Sequence, residues 1–246
     1  MKTKFMMVGL LAAGSLLLGQ APKSPKEREA LQAVFSATSP DQKIAAVDNL
    51  ISKFKDTEFK AVALEMAGEA YQQKGDSANA IVYGNRALEA DPKNFQAMLL
   101  VAGQLAQITK KFDLDKDEKV KRAKKLADDA IATVNATAKP NPKLTDEQWT
   151  GIQKDLVAQA HETLGVLAGI DENWPLAITE YKMAIDNAAN PEITTMVRLA
   201  ATYNYAKKYD EATAMADRVL ATPGAPDNLK KIATDEKARA AKAKAQ

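Results

Sequence analysis

The chain has 246 residues, with 34 Lys and Arg against 32 Asp and Glu, 6% aromatic residues and no cysteine. The missing thiols exclude disulfides, Cys-ligated zinc, iron–sulfur clusters, a thiol nucleophile and a lipidated N-terminal Cys. A charged fraction of 27% excludes both an all-apolar membrane protein and a disordered acidic chain. The abundance of Ala, Leu, Lys and Glu favours helices, where these side chains lose little entropy.

Lys2 and Lys4 precede an apolar run from Phe5 to Leu18, followed by Gly19-Gln20-Ala21. A positive start, a short apolar stretch and small residues after it predict a secretory signal over residues 1–21 and export to a periplasm or to the outside. The run is shorter than the roughly 20 residues that a membrane-spanning helix needs, so no transmembrane segment is expected once the signal is removed. Pro22 beside the cut departs from the usual pattern. Removal takes away Lys2 and Lys4 and no acid, leaving 32 bases against 32 acids. Global charge therefore makes no case for nucleic-acid binding.

Residues 22–56 carry a faint helical hairpin: Ala30, Leu31 and Val34, then Lys43, Val47 and Leu50, where only the spacing survives. The next block is clearer. Leu64, Ala67, Gly68 and Tyr71 lie at helical spacing, and Ala80, Gly84, Ala87 and Pro92 follow. The block resembles the tetratricopeptide repeat (TPR) signature, a helix hairpin with a large residue, a Leu-Gly pair and a Tyr on its first helix. The second helix of that signature has an Ala, an aromatic and a Pro. Gly68, Tyr71, Ala80 and Pro92 match, while Leu64 replaces Trp, Ala67 replaces Leu, and Gly84 replaces the aromatic.

The same grammar recurs down the chain. Met98, Val101, Ala102 and Leu105 form a second A-type helix, and Ala123, Ala127 and Ala130 its B-type partner. His161, Leu164, Gly165 and Ala168 open a third hairpin, completed by Ala177, Tyr181 and Ala184. Met196, Leu199, Ala200 and Tyr203 open a fourth, completed by Ala212, Ala216 and Val219. Gly68 to Ala80, Gly165 to Ala177 and Ala200 to Ala212 each span 12 residues; Gly68 to Ala102 spans 34 and Gly165 to Ala200 spans 35. Small residues are needed where helix axes cross closely, and a fixed interval between them separates a repeat from a generic amphipathic helix.

This resemblance, to exported bacterial-type TPR proteins, implies an all-α, TPR-like α-solenoid of antiparallel helix hairpins with a C-terminal capping helix. Repeats are expected over 57–222, at about 61–94, 95–138, 145–190 and 193–223, with a cap and basic tail over 226–246. Asp227 reads as the cap residue, Leu229, Ile232 and Ala233 as the covering face, and the helix is expected to fray after about Ala238. Two departures stand out. Ala102 to Ala123 is 21 residues, so nine are inserted around 110–118. Lys139-Pro-Asn-Pro142 breaks the chain, and Thr145 to Gln148 reads as a capping box opening a long helix through about Ala168.

Catalysis finds little support. His161 is the single histidine and sits at a core-facing repeat position; general acid–base work or a metal would need more. Glu162 and the Asp171-Glu172 turn are acids without a cleft signal. Asp113, Asp115 and Asp117 begin like a calcium loop, but its later positions hold Glu118 and Lys124 and the match fails. Asn135-Ala-Thr137 is a glycosylation sequon, useful only in a host that glycosylates exported proteins. No cofactor is expected. Residues 108–125 carry eight bases and four acids, and residues 226–246 six and three. These charges read as solvated faces or as ends that steer assembly.

In the family resembled, the A helices line a concave face, and its stripe here holds Glu65, Glu69 and Gln72, then Gln96, then Gln159 and Glu162, then Arg198 and Asn204. With three glutamates, this stripe suits a basic or neutral extended segment better than a C-terminal carboxylate. Glu65, Glu69 and Glu162 are expected to be exposed. The expected function is an extracytoplasmic protein-binding scaffold or adaptor. The alternatives are a self-assembling protein with stacked solenoids and a non-catalytic subunit of an envelope complex.

Overall fold

A computed structural model describes residues 21–245, and the signal-peptide reading rests on residues outside that range. Among the described residues every regular element is helical. The helices are α1 (Pro25–Ser36), α2 (Pro40–Lys53), α3 (Lys60–Gln73), α4 (Ser77–Ala90) and α5 (Phe95–Ile108). They continue with α6 (Lys116–Ala136), α7 (Asp146–Ile170), α8 (Trp174–Asn187), α9 (Ile193–Tyr205), α10 (Tyr209–Ala221) and α11 (Asp227–Lys244). The chain divides into two compact units. One holds the residues up to Ile108 with Asp128–Thr150, and the other Thr109–Ala127 with the residues from Gly151 on.

In the first unit, α1 through α5 pack each on the next, and α3 also touches α5. In the second, α8 through α11 do the same, and α9 also touches α11. Contact between alternate helices is what stacked hairpins produce, because the first helix of one hairpin lies beside the first helix of the next. Leu64, Ala67, Val47, Leu50 and Ala87 are buried in the first unit; Leu199, Ala200, Ala212, Ala216 and Val219 are buried in the second. The small residues of the repeat register sit at close approaches. A Cβ added to Gly68 would lie 2.6 Å from Leu100 Cδ2, and one added to Gly165 would lie 2.6 Å from Tyr181 Cε1.

The turns repeat as strictly as the crossings. Gly75, Glu172 and Lys207 have φ of 76°, 56° and 59°, and each lies seven residues past Gly68, Gly165 or Ala200. In each turn this residue's N–H bonds back three residues: Gly75 to Gln72, Glu172 to Gly169, and Lys207 to Asn204. The next N–H bonds back five: Asp76 to Tyr71, Asn173 to Ala168, and Lys208 to Tyr203. That pair of bonds is the Schellman motif, which satisfies the last carbonyls of a helix. The residue after the left-handed one then caps the following helix. Asp76 accepts from the Asn79 N–H and Asn173 from the Leu176 N–H, whereas Lys208 makes no side-chain cap bond.

The capping box before α7 has both limbs: Gln148 N–H donates to Thr145 Oγ1 at 3.2 Å, and Thr145 N–H donates to Gln148 Oε1 at 2.9 Å. The C-terminal helix differs from the expectation in two respects. Pro226 is the N-cap and Asp227 the first helical residue, its carboxylate beside the positive end of the helix dipole. The helix also runs to Lys244 without fraying at Ala238. Ala240 is fully buried, and Lys237 and Lys244 pair with Asp217 and Asp210 of α10.

Candidate functional site

Glu65, Glu69 and Gln72 lie one turn apart along α3, as helical spacing requires. The structure does not expose all three. Gln72 is exposed and Glu69 half-buried, but Glu65 is only 2% exposed. The expectation of an exposed Glu65 is thus overturned, since the hairpin α1–α2 packs against this part of α3. Lys43 of α2 reaches the same place and donates from Nζ to the Val34 carbonyl at the end of α1. Burial raises the carboxyls of both Glu65 and Glu69 above their ordinary range, and for Glu65 the Glu69 charge adds to the rise. Burial likewise lowers Lys43, against the pull of the Glu69 and Glu65 charges. One oxygen, Glu65 Oε1, is buried without a hydrogen-bond partner. On α5, Gln96 is also buried, as is Gln104 two turns on, which sequence spacing does not single out.

In the second unit α7 and α9 carry the stripe. Glu162 and Arg198 form a side-chain ion pair across these helices, with Arg198 about half exposed. Gln159 is half-buried one turn before. His161 is buried, with Nδ1 2.8 Å from Glu180 Oε2 of α8, so it packs in an acid-paired position. Tyr181, the residue after Glu180, is pushed up to about 12 by burial.

Asn204 is the second correction. It is 5% exposed, and its Nδ2 donates to the Glu236 carbonyl at 2.9 Å and to Glu236 Oε2 at 2.7 Å. The residue that sequence placed on the binding stripe instead anchors α11, which takes the position that a further A helix would take. Arg239 of α11 lies over the Tyr205 ring at 4.5 Å, and Tyr205 stacks on Trp174 at 4.8 Å. Glu236 and Trp174 gave no advance signal, because neither falls on a repeat position that the register uses.

The inserted turn 110–118 is folded rather than loose. Asp113 accepts from the Lys110 N–H at 3.0 Å, Lys119 pairs with Asp115 at 2.8 Å and Asp113 at 3.4 Å, and Lys116 pairs with Asp171 at 2.7 Å. Lys116 also pairs with Asp117 at 3.2 Å, so the three aspartates that open like a calcium loop are all in ion pairs with lysines. Between them Phe112 is 86% exposed and Leu114 is fully exposed. Asn135 of the sequon is exposed on the last turn of α6. No described helix is long and apolar enough to cross a membrane.

No sequence-family profile matches the chain, and no curated protein matches it. Solved structures do. The thermophilic TPR protein TTC0263 of Thermus thermophilus is 14% identical, covers 85% of this chain and 95% of its own, and has a TM-score of 0.57. The MamA RS-1 ArsTM double mutant is 16% identical, covers 90% and 96%, and has a TM-score of 0.53. With its alternate-helix packing and its fixed register of small residues, the chain has an all-helical fold similar to that of the TPR solenoids.

Proposed function

We propose that this chain is an extracytoplasmic protein-binding scaffold that holds extended, basic or neutral segments of its partner on the A-type helices of each compact unit. The observation that carries the reading is the division of labour on α3, α7 and α9. One face of each is taken up by hairpin packing, while Gln72 and Arg198 stay exposed and Glu69, Gln159 and Glu162 stay half-buried on the other. Polar side chains that the core does not need are free to specify a partner, and carboxylates and amides accept and donate along a peptide backbone. Export is supported by the charged and apolar pattern of residues 1–21.

Two measurements test this. N-terminal sequencing of the chain from fractionated native cells is expected to find it outside the cytoplasm, starting between about residues 20 and 24. A soluble cytoplasmic form retaining Met1 contradicts export. A photo-cross-linker at Gln72 or Arg198 is expected to give discrete partner adducts, and one at the exposed Lys231 of α11 is not; equal adducts from all three contradict binding on the A-type helices.

Phe112 and Leu114 support a second reading, self-association. A folded turn that holds two apolar side chains in water is a contact waiting for an apolar surface, and another copy of the chain is one source. Sedimentation across concentrations, with and without Phe112→Ser and Leu114→Ser, separates the two readings.

A further inference from the structure

The inserted turn between α5 and α6 does more than join two helices. Gly68 to Ala80, Gly165 to Ala177 and Ala200 to Ala212 each take 12 residues, whereas Ala102 to Ala123 takes 21. The extra residues are not slack. Asp113 holds the Lys110 N–H, and Lys119 ties Asp113 and Asp115 to the start of α6. Within the second unit, Lys116 fastens the turn to Asp171 at 2.7 Å, and Lys111 fastens it to Glu172 at 2.8 Å. On this fixed frame Phe112 and Leu114 stand in water, and Leu176, on the first turn of α8 and four residues past Glu172, is exposed as well. Single exposed apolar side chains are ordinary, but two that nearly adjoin on a turn held by ion pairs mark a contact.

The charges around the turn say what covers it. Lys110, Lys111, Lys116, Lys119 and Lys121 stand against Asp113, Asp115, Asp117, Glu118, Asp171 and Glu172, five bases and six acids, a balance of −1. An anionic bilayer or a nucleic acid needs an excess of cations, and a strongly basic partner an excess of acids; this surface offers neither. Lys110, Glu118 and Lys121 are exposed and make no ion pair among the described residues. Glu118 and Lys121 lie one turn apart at the start of α6. Such a pair is self-complementary: about a two-fold axis, the acid of each copy meets the base of the other. An apolar tip that is close to neutral, with an unpaired charge of each sign beside it, fits a second copy of itself.

We propose that two copies of the chain associate about a two-fold axis through this turn, each covering Phe112 and Leu114 of the other, with Glu118 opposite Lys121 across the axis. The inference rests on the self-association reading and names its surface and its symmetry. A two-fold contact closes at two copies, unlike head-to-tail stacking, which continues. Two apolar side chains a side bury far less than the roughly 800 Å² per partner of a standard interface, so the dimer is weak and grows with concentration. Gln72, Gln159, Glu162 and Arg198, which the scaffold reading uses, take no part in it.

The chain has no cysteine, so one introduced thiol reports on one position. A disulfide forms only where two Cα atoms come within about 7 Å. Under mild oxidation, Phe112→Cys, Leu114→Cys or their equimolar mixture is expected to give a covalent dimer, and Lys231→Cys on α11 is not. In sedimentation the wild type is expected to reach dimer and no higher state, and Phe112→Ser with Leu114→Ser to associate at least roughly tenfold more weakly. Both side chains are exposed, so these variants leave the core intact. Glu118→Lys and Lys121→Glu are each expected to weaken association by roughly threefold, and their equimolar mixture to restore it, because opposite charges then face each other at both contacts. Unchanged association of the serine variant, or Lys231→Cys dimers formed as readily as those from the turn, overturns the proposal. So does binding to phosphatidylglycerol vesicles that the serine variant loses, which gives the turn to a membrane. Association of the wild type without cross-links from the turn sinks this inference alone; a wild type that stays monomeric at every concentration sinks the self-association reading with it.

Discussion

At the scale of single residues, the register of small side chains makes a graded prediction. The Cβ of Gly165→Ala would meet three atoms of the Tyr181 ring at 3.0 Å or less, whereas that of Gly68→Ala meets chiefly the flexible end of Leu100. Gly165→Ala is therefore expected to cost about 1–3 kcal/mol and Gly68→Ala less, with the Leu variants worse at both sites. Lys116→Ala in the inserted turn is expected to stay within about 0.5–1 kcal/mol, since exposed ion pairs contribute little. Chemical denaturation reads all of these, and equal losses at Gly165 and Lys116 would contradict the register. Lys207→Gly relieves a left-handed backbone and is expected to stabilise by about 0.5–1 kcal/mol. The glutamate pair sets a pH dependence. Its folded carboxyls titrate above their unfolded values, so their contribution is present below the ordinary glutamate range and is lost as pH rises through the raised values. The melting temperature of the wild type is expected to fall relative to Glu65→Gln across that rise, and a parallel pair of curves would contradict the raised carboxyl at Glu65. At this scale, the sequence disclosed which residues must be small, because spacing alone carries that. It did not disclose that Glu65 is buried, because burial depends on how far α1 and α2 cover α3, and their own hairpin was faint.

Element by element, the helix ends explain what was legible and what was not. Thr145 to Gln148 announced α7 because a capping box is a local pattern, and both of its bonds form. Ser24-Pro25 and Ser39-Pro40 carry equally local signals. Each serine accepts from the third residue on and each proline opens its helix, so the faint hairpin had clear boundaries even where its repeat residues had decayed. The Lys/Ala-rich end of α11 resembled a frayed tail because its stabilising partners, Asp210 and Asp217, lie on another helix and leave no trace in the local sequence. The missing cap at Lys208 gives a prediction. Lys208→Asn places a side-chain acceptor where Asp76 and Asn173 already have one, and is expected to raise stability by about 1 kcal/mol in thermal melts. No gain would mean that the N-terminal turn of α10 is capped by other means.

For the molecule as a whole, the all-helical class and the repeated hairpins were legible because period and small-residue interval are global features that tolerate lost signature residues. The division into two compact units was not, since two of its three boundaries fall inside α6 and α7, where no break in the sequence marks them. Asn204 shows the same limit: a stripe position at the last hairpin faces the chain's own cap instead of a partner. The central claim is that the A-helix face, not a catalytic group, does the work. Its most direct test is the yield of cross-linked partner for the wild type against Gln72→Lys with Glu162→Lys, at matched helicity and melting temperature. The account predicts at least a roughly tenfold loss of the adducts, because both changes put positive charge where a basic segment would lie. Undiminished adducts from the double variant, with loss on Phe112→Ser and Leu114→Ser instead, would contradict it.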